Sequence, residues 1–103
     1  MARFDVYQNP DNDERKYVPY FLDVQNTFLA IGTRVVIPLH SPAQFNHSAK
    51  NLNIELTVQG KQVVMNTSAL GSIPISDLRR PVENIATQQA SVQNAIDTLF
   101  GGY

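Results

Sequence analysis

Few residues of this chain have the types and spacing that catalysis or metal binding requires. His40 and His47 are the two histidines, and neither has a cysteine or a carboxylate close in sequence that would make it a metal ligand or a general base. Asp11, Asp13 and Glu14 resemble the first half of a calcium loop, but the glycine and the closing glutamate of such a loop are missing. The sequence therefore predicts no catalytic residue, no metal site and no cofactor.

The glycines and the absence of cysteine exclude further classes of function. The five glycines are scattered, and neither GxGxxG nor GxxxxGK[ST], the patterns typical of phosphate-binding loops, occurs. No cysteine is present to serve as a thiol nucleophile or in a zinc ribbon, which also fits a reducing compartment. Together with the sparse catalytic residues, this composition predicts a protein that is not an enzyme.

Length, charge and hydropathy indicate one cytoplasmic domain, residues 1–103. We expect no membrane contact, because the sequence shows no secretion signal and no apolar run of the roughly 20 residues that span a bilayer. Eight basic and nine acidic residues give a net charge of −1, which disfavours direct nucleic-acid binding. The sequence does not exclude a local basic patch, because it does not show where in the fold six basic residues lie, namely Arg3, Arg15, Lys16, Arg34, Arg79 and Arg80.

Strand patterns precede a single helix pattern, which is typical of an α+β domain with an antiparallel sheet. Val35 to Ile37 are consecutive apolar residues, so their strand should be the central one, whereas Pro74 should lie at an edge. A short helical turn is expected around Ala43–Asn46. The predicted strands are Arg3–Gln8, Tyr17–Gln25, Arg34–Leu39, Leu52–Gln59, Lys61–Thr67 and Ser72–Asp77.

The second strand and the hairpin raise questions of face and register. Asp23 and Gln25 share one face of their strand, which predicts that this face is partly exposed. The hairpin around Gly60 has two possible registers. A Gly60-Lys61 turn would pair Val58 with Val63, and a Gln59-Gly60 turn would shift the pairing by two residues while burying the same face.

The helix should close the chain over about 13 residues. Thr87 is its predicted N-cap and Gly101 its predicted stop. Its apolar stripe consists of residues at helical spacing, namely Ile85, Val92, Ala95, Ile96, Leu99 and Phe100.

Two segments carry apolar residues where the backbone is normally solvated. Phe28, Leu29 and Ile31 lie between the second and third strands, and they either tuck under the sheet or contact a partner. The segment from Phe100 to Tyr103 presents the same choice between a frayed tail and a covered one.

Several segments, in this order, resemble the CcdB family of toxin–antitoxin toxins, which poison bacterial DNA gyrase. They are Phe4-Asp5-Val6-Tyr7, Leu22-Asp23-Val24-Gln25, Arg34-Val35-Val36-Ile37-Pro38-Leu39, Ser72-Ile73-Pro74-Ile75 and Asn94-Ala95-Ile96. The resemblance implies a twisted antiparallel sheet of about five strands in a barrel-like fold, a small accessory sheet and a long C-terminal helix. It also implies a homodimer with both helices near the two-fold axis.

In this family the last residues of both protomers and the turn after the second strand enter the cavity between the two gyrase A subunits and block religation of cut DNA. Carried over, that surface consists of Phe28, Leu29, Gln89, Asp97, Gly101, Gly102 and Tyr103. The chain departs from the family where Gly101 replaces a tryptophan and Tyr103 an isoleucine. A CcdA-like antitoxin with a disordered acidic tail is the second implied partner.

Two other functions remain as alternatives. A ribonuclease toxin of the MazF type shares the barrel-like architecture, but it needs a basic groove and an acid–base pair. An adaptor domain would need only its dimer surface. The net charge of −1 favours the gyrase poison, which would contact nucleic acid only through gyrase or through an antitoxin–operator complex.

Overall fold

A computed structural model of the chain describes residues 1–45 and 49–101. Within these ranges seven strands form one antiparallel sheet, which curls into a half-barrel, and one α-helix follows. The elements are β1 (Asp5–Gln8), β2 (Tyr20–Asp23), β3 (Thr33–His40), β4 (Asn53–Val58), β5 (Lys61–Asn66), β6 (Gly71–Pro74), β7 (Glu83–Asn84) and α1 (Gln89–Phe100). The predicted α+β class is confirmed.

The strand β3 is central, as predicted. The strands lie in the order β4-β5-β3-β2-β1-β7, and the small strand β6 also pairs with β3. One edge of β3 pairs with β6 over Thr33 to Val36 and then with β5 at Leu39 and His40. Pro38, which has no N–H group, lies between these two pairings. The β4–β5 hairpin therefore joins the sheet only at the far end of β3, as an accessory part.

The hairpin turn is Gln59-Gly60, which decides between the two predicted registers. Val58 pairs with Lys61 across this turn, and Leu56 pairs with Val63. Gln59 and Gly60 both have positive φ, at 51° and 77°. Two successive residues with positive φ form the turn whose twist matches that of the flanking strands.

The main core lies between one face of the sheet and α1. Val92 and Ala95 of the helix are buried against strand residues such as Leu22 and Ile37. Ile96 packs against the same cluster and is partly buried. A second, smaller cluster covers the opposite face of the sheet and contains Tyr7, Val36 and Leu78. Both faces of the central strands are therefore covered.

The sequence predicted that Asp23 and Gln25 lie on a partly exposed face, but this face is covered and their exposed fractions are 0% and 8%. The prediction was wrong because polar residues on a strand indicate solvent only when no partner neutralises them. Here Arg34, on the neighbouring strand, forms an ion pair with Asp23. The face is covered and polar at once.

Several predicted boundaries also differ from the structure. β2 is shorter than Tyr17–Gln25, and the strand predicted for Ser72–Asp77 ends at Pro74, where a 3₁₀ turn, Ile75–Asp77, begins. The helical turn predicted around Ala43–Asn46 is a 3₁₀ turn at Pro42–Gln44, and Asn46 lies outside the described residues.

The ends of α1 agree with the prediction on one side only. Thr87 is not the N-cap, because it lies in a 3₁₀ turn, Ala86–Gln88, and the helix begins at Gln89 without a side-chain cap. Gly101 ends the helix with φ 75°, as predicted, and its N–H group donates to the carbonyl O of Asp97. No helix among the described residues is long and apolar enough to span a membrane.

Candidate partner-binding site

The residues considered first for chemistry do not come together. Burial lowers the pKa of His40, whose ring packs 4.5 Å from that of Phe45. Asp11 and Asp13 lie in a loop in which the N–H group of Asp13 donates to Asp11. No cluster of three possible metal ligands occurs in residues 1–45 and 49–101. His47 falls outside those ranges.

Three arginines do converge, which the sequence could not establish. Arg15, Arg79 and Arg80 line a groove of ≈ 370 Å³ together with Asp77, at the end of the sheet where β1 turns into β2. This is the basic groove that a ribonuclease would need. Its described lining contains no histidine, and His40 is not part of it. The groove thus combines three arginines with one acidic side chain, that of Asp77, in its described lining.

The segment between β2 and β3, here called the apolar loop (residues 26–32), presents its large side chains to solvent. Phe28 is 91% exposed, and Leu29 and Ile31 are 50% and 55% exposed. The large side chains of the loop thus do not close the core. Of the two alternatives that the sequence left open for this loop, packing under the sheet and contact with a partner, the first is excluded. Exposed apolar side chains that are neighbours, such as these three, are typical of surfaces that contact a partner.

The backbone of the apolar loop is fixed even though its side chains are exposed. The N–H group of Phe28 donates to Asn26 Oδ1 at 2.8 Å, and that of Leu29 donates to the carbonyl O of Asn26 at 3.2 Å. The N–H group of Arg3 donates to Thr27 Oγ1 at 2.9 Å. Asparagine commonly forms such local turns with the backbone that follows it. The loop therefore holds Phe28 outward in a defined position.

Arg3 connects the apolar loop to α1. Its Nε donates to the carbonyl O of Val24 at 3.1 Å, and its Nη2 donates to Gln93 Oε1 at 2.7 Å. Gln93 Nε2 in turn donates to Asp97 Oδ1 at 2.8 Å. Gln89 lines a groove with Arg3 and Gln93. A chain of hydrogen bonds thus runs from the loop to the helix.

The structure places the described residues of the predicted site on two elements, the apolar loop and α1 with the residue that follows it. Phe28 and Leu29 lie on the apolar loop. Gln89 and Asp97 lie eight residues apart on α1, a spacing that places them on one side of a helix. Gly101 follows that helix, and the remaining predicted residues, Gly102 and Tyr103, lie outside the described residues. Arg3, which links loop and helix, was missed, because a basic residue near a strand start carries no signal of such a role.

A comparison with family models identifies the chain. The model described as CcdB protein matches residues 3–102, which include every strand and the helix. The chain belongs to the CcdB family. This family consists of toxins of toxin–antitoxin systems that act on DNA gyrase as poisons and are not themselves catalysts. A search of curated proteins gives no match. The resemblance seen in the sequence is confirmed.

Proposed function

We propose that this CcdB-family protein binds the gyrase A subunit, traps the complex in which DNA is cut and blocks religation. The apolar loop and the adjoining side of α1 form the contact surface, and no side chain of the toxin makes or breaks a covalent bond. The observation that supports this most directly is the 91% exposed Phe28 on a backbone fixed by Asn26.

The energetics of such a contact are favourable. Burying an exposed phenylalanine side chain contributes about 1.5–3 kcal/mol. Because the loop backbone is already ordered, binding does not incur the free-energy cost of ordering it. Leu29 adds apolar area beside Phe28, and Asp97 adds a polar group on the helix side of the surface.

The last residues complete the proposed surface. Gly101 takes the left-handed conformation, which ends α1. Gly102 and Tyr103 follow, and we include them because tyrosine is a frequent source of binding energy at interfaces. A tyrosine at the terminus would thereby replace the ring that the family carries two residues earlier as tryptophan.

The toxin is further proposed to act as a homodimer and to be neutralised by a CcdA-like antitoxin with a disordered acidic tail. Support for the dimer comes from Phe100, which is 70% exposed on the last turn of α1. A symmetric dimer would double the contact surface, so both protomers could bind the two A subunits of one gyrase. Family membership supports the antitoxin as a partner and the bacterial cytoplasm as the location.

The test uses purified protein with gyrase, ATP and supercoiled plasmid, and it detects linear DNA after the enzyme is denatured. We expect linear product with the wild-type protein and a large loss of it with Phe28→Ala, whose melting temperature should stay unchanged. Tyr17→Ala is the matched control, because Tyr17 is 46% exposed and lies in the β1–β2 connection at the other end of β2.

Three results would contradict the proposal. Degradation of RNA without gyrase would favour the MazF-type ribonuclease and would direct attention to the arginine groove. Neither DNA cleavage nor RNA degradation would favour the adaptor. Equal activity of Phe28→Ala and Tyr17→Ala would show that the toxin acts through another surface.

A further inference from the structure

The side chain of Arg34 lies buried beneath the apolar loop and uses every N–H group it has. Its Nε and Nη2 donate to the two carboxylate oxygens of Asp23, at 2.6 and 2.9 Å. Nη2 also donates to the carbonyl O of Gln25 at 3.1 Å. Nη1 donates to the carbonyl O atoms of Asn26, at 3.4 Å, and Leu29, at 3.2 Å. A guanidinium has five N–H groups, so none remains for a ligand.

The last three acceptors are carbonyl groups of the segment that enters and forms the apolar loop. Phe28 lies between the two carbonyl groups that Nη1 binds, so the guanidinium spans the turn that presents this ring. We propose that Arg34, oriented by Asp23, is the positioning residue that fixes the apolar loop in the conformation that binds gyrase. This inference rests on the function proposed above.

Stability alone does not account for this buried pair. Arg34 is 2% exposed and Asp23 is 0% exposed, and theirs is the one ion pair within residues 1–45 and 49–101. The cost of removing two charges from water offsets much of their mutual attraction, so the ion pair by itself contributes little net stability. An apolar pair could not bind three carbonyl groups of a loop, and that is what the guanidinium adds.

The substitution Arg34→Lys tests the role, because it keeps the positive charge beside Asp23. A single ammonium cannot bind both oxygens of Asp23 and the carbonyl groups of the loop as well. We expect the backbone amides of Phe28 and Leu29 to exchange hydrogen faster than in the wild type. We also expect the dissociation constant for the gyrase A subunit to rise about tenfold or more.

Val64→Ala is the matched control for lost stability. Val64 is fully buried in β5 and pairs with His40, at the end of β3 that is distant from the apolar loop. This variant should lose stability while gyrase affinity and loop amide exchange stay as in the wild type. If Val64→Ala weakens gyrase binding as much as Arg34→Lys does, the effect is one of stability and the positioning role is overturned.

The two proposals fail in different ways. If Phe28→Ala leaves gyrase binding unchanged, the proposed function is wrong. If Phe28→Ala weakens binding but a folded Arg34→Lys binds like the wild type, only the positioning role is wrong. If Arg34→Lys does not fold, amide hydrogen exchange of the wild-type protein is the remaining test. Rapid exchange of the Phe28 and Leu29 amides would overturn the positioning role, because that role requires a fixed loop, and slow exchange would support it.

Discussion

Ionisation of the Tyr7 phenol should make the stability of this protein fall at alkaline pH. Tyr7 is 1% exposed, and its hydroxyl group lies 3.4 Å from Asp5 Oδ2. Burial, together with the nearby carboxylates of Asp5 and Asp23, raises the pKa of Tyr7 from 10.0 to about 12. The substitution Tyr7→Phe removes the titrating group and leaves a ring of nearly the same shape.

The magnitude follows from linkage between protonation and folding. Because the pKa of Tyr7 is raised in the folded state, its contribution to stability is fully present below about pH 10 and is lost as the pH rises through about 12. A difference of about two pKa units corresponds to about 2–3 kcal/mol. The wild-type protein should therefore lose about that much more stability than Tyr7→Phe across this range.

Urea unfolding of both proteins, at fixed protein concentration from about pH 9 to about pH 12, measures the difference. Groups that titrate in both proteins cancel in the comparison, and no cysteine is present to add a thiolate. At neutral pH the variant should be less stable by about 1 kcal/mol at most, since the hydrogen bond to Asp5 is long. Parallel loss of stability in the two proteins would refute a buried, neutral phenol.

Two further substitutions and one deletion test the hairpin, the helix and the tail. Gly60→Ala should destabilise the fold by about 1–2 kcal/mol because of its positive φ, whereas Gly71→Ala, with ordinary φ and open space, should cost little in urea unfolding. Ile96→Asp should unfold the protein or split the proposed dimer, because it places a charge against the core, whereas Ser91→Asp on the exposed side should do neither. Circular dichroism and sedimentation distinguish these outcomes. Deletion of residues 101–103 should abolish gyrase poisoning and shift the melting temperature by only a few degrees; loss of folding would instead make the tail part of the core.

Strands were predictable because their signals are local. The consecutive apolar residues Val35 to Ile37 indicated the central strand, and alternation on both sides of Gly60 indicated the hairpin. The sequence limited the register of this hairpin to two possibilities but did not decide between them. The structure places Gln59 at φ 51°, a conformation that glutamine rarely takes, so residue preference could not have selected this turn.

Features that depend on distant partners were missed or misjudged. Asp23 is buried because Arg34, 11 residues away, pairs with it. Thr87 is a good N-cap by residue type. In the turn that precedes the helix, however, the neighbouring Gln88 accepts a hydrogen bond from the N–H group of Thr57, 31 residues away, and donates one to the C=O group of the same residue. A reading of local pattern has no access to such contacts, which form only when the sheet and the helix meet.

The same limit applied to the candidate site. Resemblance identified Phe28 and Leu29, but the apolar pattern of the loop fits core closure as well as exposure, and only the fold decides between them. Arg3 went unassigned because its partners Val24, Thr27 and Gln93 lie 21, 24 and 90 residues away. These hydrogen bonds connect the apolar loop to α1, the two elements of the proposed contact surface.

The buried polar groups carry the strongest argument that the apolar loop has a function. Exposed apolar side chains such as Phe28 and Leu29 do not by themselves require a charged pair beneath their loop. Here Asp23 and Arg34 are desolvated at a cost, and the guanidinium binds the loop carbonyl groups around Phe28. The guanidinium thus orders the backbone that carries the exposed Phe28 side chain. Because a backbone that is already ordered loses less entropy when a partner binds, this arrangement favours complex formation by the apolar loop.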